Sequence, residues 1–450
     1  MRRGLRALVA GAGLALAASS CAPPPRHTPP APPPAPATAP ATPAPPVPSP
    51  ARFTTEGEPW IAVGLATDLD TLTLVPVSGA RVRALGLRGG SHALPAGAAL
   101  ALRAAEGALR ARGPADGPLA DLRLPSPDTL ALEPRDARAA AFAWRGKTWR
   151  GELRAFVNAR GRITLVARMP LETYLCGVVP GEIGALADDL LEAGRAQAIA
   201  ARSFTLFYLG RRAAEGFDLF ASVEDQVYGP VESERPLATR CVTSTAGEVA
   251  LSGGWPIRAN YSSTCGGISA EVWEAWPEPP RPYLVSARDA GPSGDHCAAS
   301  PHFRWRETWP AAELAANLAR FGPPLGVRLP PGGVGEIVDV RVTARSRSGR
   351  VWRLAVETTT GTVEVHAHVL RQALRRPGRP GAILRSNLFK IDVRRDPRTR
   401  RALEVVASGG GNGHGAGLCQ TGALGMARAG RDARAILAHY YAGASVERLY

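Results

Sequence analysis

Glu182 stands at the end of an apolar run, LCGVVPG, and just before Ile183 and an alanine-rich stretch. A carboxyl walled by Val178, Val179 and Ile183 loses its water, and desolvation favours the neutral, proton-donating form. That is what a general acid needs at neutral pH. A place near the start of the next helix would act the other way, by stabilising the charge. The alternative for such a glutamate is a solvated or helix-capping carboxylate. A second unusual segment is GGGNGHGAGLCQTGALGMARAG, Gly409 to Gly430, where His414 sits among glycines and Gln420 opens a run leading to Tyr441. Glycine permits left-handed turns and close backbone approach, so the loop can bring His414 and Gln420 against a ligand. It is not a phosphate loop, because no Gly-Lys-Ser/Thr follows. Gln226 and Tyr228 in DQVYGP, and Ser263 and Thr264 in ANYSSTCGG, supply neutral donors and acceptors suited to a hydroxyl-rich ligand, or else turn structure.

These residues need elements to position them. LLEAGRAQAIAARSFTLFYLGRR, Leu190 to Arg212, places alanines and large apolar residues at helical spacing with no internal proline, which predicts a buried helix. Arg202 lies on it, and an arginine on an apolar helix face is seldom left unpaired. It either binds a ligand carboxylate or holds a neighbouring Asp or Glu. Residues 53–149 alternate short apolar runs with glycine, proline and charge, a strand-and-turn pattern that predicts a small β-rich accessory domain. WRGELRAFVNARGRITLVARM gives two more strands leading into the segment of Glu172 and Glu182, and residues 335–367 read as strands again. The expected fold class is α+β, with a helix cluster around 182–212 carrying Glu182 and packed with antiparallel strands.

The motifs MPLETYLCGVVPGEIG, DQVYGP, ANYSSTCGG, PYLVSARD, LRSNLF and the glycine segment occur in an order that resembles the stage II sporulation protein D (SpoIID/LytB) family of cell-wall enzymes. The resemblance covers roughly 149–450, so 150–450 is expected to be the catalytic domain. It implies a lytic transglycosylase that cuts peptidoglycan glycan, already stripped of peptide, between MurNAc and GlcNAc. Such an enzyme needs one carboxyl group, because the muramic C6 hydroxyl attacks its own C1 and leaves a 1,6-anhydro end. Glu182 matches the family's essential acid, and Arg202 an important family position. Gln226, Tyr228, Ser263, Thr264, His414, Gln420 and Tyr441 are expected to bind the glycan. Two alternatives are a noncatalytic wall-binding or amidase-stimulating module, with an N-acetylmuramoyl amidase as partner, and a hydrolysing muramidase with Asp225 as the second carboxylate.

Cysteine use follows from export. Beyond Cys21 the chain has Cys176, Cys241, Cys265, Cys297 and Cys419, an odd number. Cys265 and Cys297, each in a loop motif of the expected substrate face, are the expected disulfide. Cys419 stands where the family usually has serine and reads as a small buried residue. His296 beside Cys297 keeps zinc open as the alternative, since some relatives bind zinc in this region, but that set has three ligands and no clear fourth. No cofactor is otherwise expected.

The address is written at the start. Arg2, Arg3 and Arg6 precede an apolar run from Ala7 to Ala18, then Ser19-Ser20-Cys21, which reads as an export signal over 1–20 ending in a lipoprotein box. From Ala22 to Pro50 proline and alanine dominate, so 21–52 is a lipidated cysteine on a polyproline-like tether of about 90 Å if fully stretched. The expectation is an envelope lipoprotein, periplasmic and held at the outer membrane. A net charge of +15 favours anionic surfaces. Without a nucleic-acid-binding motif or a dense basic cluster, nucleic acid is not expected as a partner. A Cys21→Ser variant should move from the membrane fraction to the soluble extract, read by fractionation; two soluble forms would remove the anchor.

Overall fold

In the segment TLTLVP, Leu72 and Leu74 alternate with threonines, and in LALRAA the buried Leu100 and Leu102 alternate with the exposed Ala101 and Arg103, so one face of each strand is buried and apolar. Burying each such leucine contributes about 1.5–3 kcal/mol. In the computed structural model, which describes residues 52–450 apart from 86–89, 116 and 118, these faces meet across two sheets. The expected signal and Cys21, and all of the tether but Arg52, lie outside the described residues. Among the described residues no helix is long and apolar enough to cross a membrane.

The first sheet has seven strands in the spatial order Leu219–Phe220, Trp60–Leu69, Ile163–Pro170, Glu152–Val157, Thr129–Pro134, Ala80–Leu85, Ser91–Leu94. All its pairings are antiparallel except that of Leu219–Phe220 with Trp60–Leu69. The second has six, from Lys147–Arg150 through Ala140–Trp144, Thr71–Pro76, Leu100–Ala105 and Ala108–Arg112 to Leu122–Pro125. Ile61, Leu74, Leu102, Leu132, Phe142, Leu153 and Leu165 belong to one shared core. The boundary drawn at 149/150 falls inside this arrangement, because Glu152–Val157 and Ile163–Pro170 pair with Thr129–Pro134 and Trp60–Leu69.

The strand Ile163–Pro170 runs directly into helix α1, Leu171–Ile183, and a short turn leads to α2, Leu191–Phe207. Glu182 is therefore in the last turn of a helix, not before one as its sequence context suggested. Pro180 interrupts the hydrogen-bond ladder close to that end, and the helix stops at Gly184, whose φ of 81° is left-handed. Gly177 lets α1 lie against Tyr228, since a Cβ there would come within 2.6 Å of its ring. Helix α3, Pro236–Ser244, and the strand Glu248–Ser252 pack against α2.

A second core is built from Trp309, Leu314, Leu354, Val356, Leu370, Phe389 and Val405. It joins two three-stranded sheets, Trp305–Pro310 with Ala402–Gly409 and Phe389–Arg395, and Ile337–Arg345 with Val351–Thr358 and Gly361–His366. The strands read over 335–367 are these last three. With the short α4, Val272–Ala275, and the helices α5, Ala311–Phe321, α6, Ala367–Leu374, α7, Gln420–Arg428, and α8, Ala433–Tyr440, the architecture is α+β with antiparallel sheets.

Arg202 belongs to the interior. Its side chain is 0% exposed and forms a two-pronged ion pair with Glu172 in the first turn of α1, Nε to Oε1 at 2.8 Å and Nη2 to Oε2 at 2.6 Å. Its Nη1 donates to Glu248 O at 2.9 Å, and Tyr450 Oη donates to Glu172 Oε1 at 2.5 Å. The expectation that Arg202 binds substrate is corrected: its charge is spent on Glu172. Arg202→Ala should destabilise the folded domain by roughly 3–5 kcal/mol, because it strands a buried carboxylate. Denaturant unfolding measures this, and a loss below about 1 kcal/mol, the scale of a surface pair, would return Arg202 to the ligand side.

Candidate active-site cleft

A cleft of about 690 Å³ lies where α1, the end of α2, the segment 258–263, α6 and the glycine loop converge. Of the residues singled out from sequence, Glu182, Ser263, His414 and Gln420 line it together. Phe204, Phe207, Tyr208, Tyr261 and Trp276 give it aromatic walls, which suit the apolar faces of sugar rings.

Burial drives the pKa of Glu182 above its ordinary 4.5. The hydrogen bond from Val227 N at 2.8 Å opposes this shift, as do the nearby side-chain donors of Gln420 and Tyr261. The place of Glu182 at the carboxyl end of α1 adds to the upward push, because the helix dipole there disfavours negative charge. The other cleft carboxylates differ. Asp225, with a side chain 0% exposed, is held by Arg211 at 3.0 Å, Arg212 at 3.3 Å and Phe220 N at 2.8 Å. Glu278 pairs with Arg258, and Glu224 is open to water. Glu182 is thus the one cleft carboxyl, among the described residues, that is both screened from water and without a cationic partner.

His414 packs its ring on Trp276, with centroids 4.7 Å apart, and its Nδ1 accepts from Ala416 N at 3.1 Å, leaving the ring proton on Nε2. Burial, helped by the nearby Arg371, lowers its pKa to about 3. At neutral pH it is an uncharged donor. The loop reaches this position through glycine. Gly413 and Gly417 have φ of 110° and 69°, and a Cβ on Gly417 would overlap Asn260 O at 2.0 Å. The glycines accordingly serve packing against the segment 260–264 more than approach to a ligand. The parallel pairing of Tyr261–Ser262 with Leu418–Cys419 then sets Tyr261 and Gln420 side by side.

Four other expected ligands of the glycan lie behind the cleft wall. Gln226 is buried, accepts from Thr205 Oγ1 at 2.7 Å and Tyr174 Oη at 3.1 Å, and donates to Tyr261 Oη at 2.9 Å. It therefore orients Tyr261. Tyr228 packs on Tyr174 and Trp149 and donates to Met169 Sδ at 3.4 Å. Thr264 is bonded to Ser300 at 2.7 Å and Thr421 at 3.1 Å, and Tyr441 donates to Asn260 O at 2.8 Å. Each polar group is satisfied within the protein, so the expectation of direct substrate contact is corrected for all four. Sequence reasoning missed Tyr261, Trp276 and Arg371. Tyr261 lay inside a motif already marked, and its aromatic ring was the available signal.

The expected disulfide is also corrected. Cys265 and Cys297 are free thiols with sulfurs 3.7 Å apart. Cys419 and Asp289 complete the group, and the four ligand atoms lie within 4.8 Å of one another. Three sulfurs and a carboxylate oxygen fit the donor set of a closed, tetrahedral zinc site. Cys265, Cys297, Cys419 and Asp289 would hold the ion, which would tie three loops together and leave no open position for chemistry. His296 is not in the group; its ring faces His439 at 5.9 Å. The fourth donor is Asp289, the last residue of PYLVSARD, whose carboxylate also receives Cys297 N at 3.0 Å.

Comparison with known proteins places these features in a family. Residues 159–251, which contain Glu172, Glu182, Arg202 and Gln226, match the family model described as stage II sporulation protein. Residues 292–417, which take in the second core, match a domain of unknown function (DUF8618). Stage II sporulation protein D of Bacillus subtilis is 26% identical over 296 residues, 62% of this chain and 75% of that protein. That of Bacillus amyloliquefaciens is 27% identical over 298 residues, with the same coverage of 62% and 75%. An uncharacterized protein of Brachyspira hyodysenteriae is 25% identical over 306 residues, 68% of this chain and 74% of the relative. Residues 159–251 thus carry a domain of the stage II sporulation protein family, and the similarity to stage II sporulation protein D extends over most of the folded region.

Proposed function

We propose that the protein is a peptidoglycan lytic transglycosylase with Glu182 as its single acid-base group. The family is a cell-wall family, and a polar cleft with aromatic walls suits a glycan strand. The observation that carries the reading is the state of Glu182: a cleft carboxyl raised by burial, with no cationic partner among the described residues. Protonated, it donates to the glycosidic oxygen as the bond to C1 breaks. The resulting carboxylate takes the proton of the C6 hydroxyl as that oxygen closes on C1, which restores the acid and consumes no water. His414, neutral with its proton on Nε2, and Ser263 supply uncharged hydrogen bonds to sugar hydroxyl or N-acetyl groups. Asp225 is held by two arginines and is poorly placed to act as a nucleophile. That weighs against the hydrolysing reading, and the exposure of Glu182 to the cleft weighs against a purely binding role.

Glu182→Gln should keep the fold and glycan binding yet lose activity by about a hundredfold to ten-thousandfold, while Asp225→Asn costs much less. Mass spectrometry of products from peptide-free glycan should show 1,6-anhydro ends; reducing ends alone, or an active Glu182→Gln protein, would sink the mechanism.

The same carboxyl makes stability depend on pH. Its folded-state pKa lies above 4.5, so the stability it contributes is complete below 4.5 and is lost as pH rises through the folded value. Thermal unfolding of Glu182→Gln and the parent should therefore diverge in favour of the glutamine variant as pH rises from 4.5 through the folded-state value. A gap that stays constant or reverses would mean the carboxyl is not destabilised by its site.

A further inference from the structure

Eight charged side chains line the cleft: Glu182, Glu224, Asp225 and Glu278, and Arg211, Arg258, Arg281 and Arg371. Three of the arginines are matched. Arg211 pairs with Asp225 at 3.0 Å, Arg258 with Glu278, and Arg281 with Glu278 at 3.9 Å. These three also lie over aromatic rings, Arg211 on Tyr208, Arg258 on Trp276 and Arg281 on Phe207. Their charge is already shared out within the protein.

Arg371 is different. It comes from α6, on the second core, and its Nε donates to Leu384 O at 2.8 Å. That bond fixes the plane of the guanidinium, while neither terminal nitrogen has a hydrogen-bond acceptor or a carboxylate partner among the described residues. Burial, together with the repulsion of another cation, Arg350, lowers its pKa to about 10. It stands close enough to His414 to depress that ring's pKa. A half-buried cation with two free, parallel donors and no counter-charge is a preformed fork for a carboxylate from outside the protein.

On the reading of the cleft as a glycan site, we propose that Arg371 binds the lactyl carboxylate of the muramic acid residue, and so selects strands from which the peptide has been removed. That group is a free anion only after peptide removal; in a peptide-bearing strand it is an uncharged amide that cannot form a two-pronged ion pair. The role once expected of Arg202 thus falls to an arginine on another element. Arg371 is a specificity residue here, and the proton transfers stay with Glu182.

The test uses the Glu182→Gln protein, which binds without turnover, and peptide-free GlcNAc–MurNAc oligosaccharides with the lactyl group either as the free acid or as the nearly isosteric primary amide. The acid should bind tighter by roughly tenfold to a hundredfold, the worth of one charge-assisted, two-pronged contact. Adding Arg371→Gln should abolish that preference by weakening the acid alone, and Arg371→Lys should restore part of it. Equal binding of acid and amide with Arg371 intact would overturn the proposal without need of a folded variant, as would a preference that survives Arg371→Gln. If neither oligosaccharide binds, the glycan reading falls and this inference with it; if both bind alike, only the inference falls.

Discussion

The ion pair between Arg202 and Glu172 holds in place the helices that carry Glu182 to the cleft. It joins the first turn of α1 to the middle of α2, and the same guanidinium reaches the carbonyls of Glu248 and Val242 while Tyr450 closes over Glu172. A buried pair of this kind adds little net stability compared with apolar residues of the same shape, but it tolerates no partial removal. What it supplies is register. Glu182 lies ten residues beyond Glu172 on the same helix, roughly 15 Å along its axis, so fixing one end of α1 fixes the height at which the acid meets the cleft.

At the far end of α1 the forces on one carboxyl are set against each other. Burial and the end of the helix favour the proton, and Val227, Gln420 and Tyr261 favour the charge. A carboxyl raised above its ordinary range in this way is suited to giving a proton and taking one back. Around it His414 is held uncharged, three arginines share the carboxylates of Asp225 and Glu278, and Arg371 alone among the cleft's described arginines has no carboxylate partner. On the proposed reading, discrimination and chemistry fall to different side chains on different cores.

Much of the fold was legible because its signals are local. Alternating leucines gave the strands, and helical spacing gave α2. Glu182 was legible through its apolar surroundings, but the helix it ends was not, because Gly177, Pro180 and Gly181 disguise α1 as a loop. Gln226, Tyr228, Thr264 and Tyr441 were misassigned for one reason. A polar side chain in a marked motif looks the same in sequence whether it faces a ligand or satisfies a neighbour such as Tyr261, Met169, Ser300 or Asn260. The cysteine group needed the third dimension as well, since Asp289 reaches three sulfurs spread over more than 150 positions only once the loops are folded.

The parallel pairing of Tyr261–Ser262 with Leu418–Cys419 has a consequence for how the protein comes into being. Contacts between positions so distant carry a large loop-closure cost and form late. Gln420 reaches Glu182, and His414 its place in the cleft, only through this pairing, so the cleft is completed after both cores exist and almost the whole chain has emerged. A nascent or truncated chain would carry the acid without the wall that desolvates it. Maturation of the activity is then coupled to completion of the fold, with no separate inhibitory segment required for that coupling.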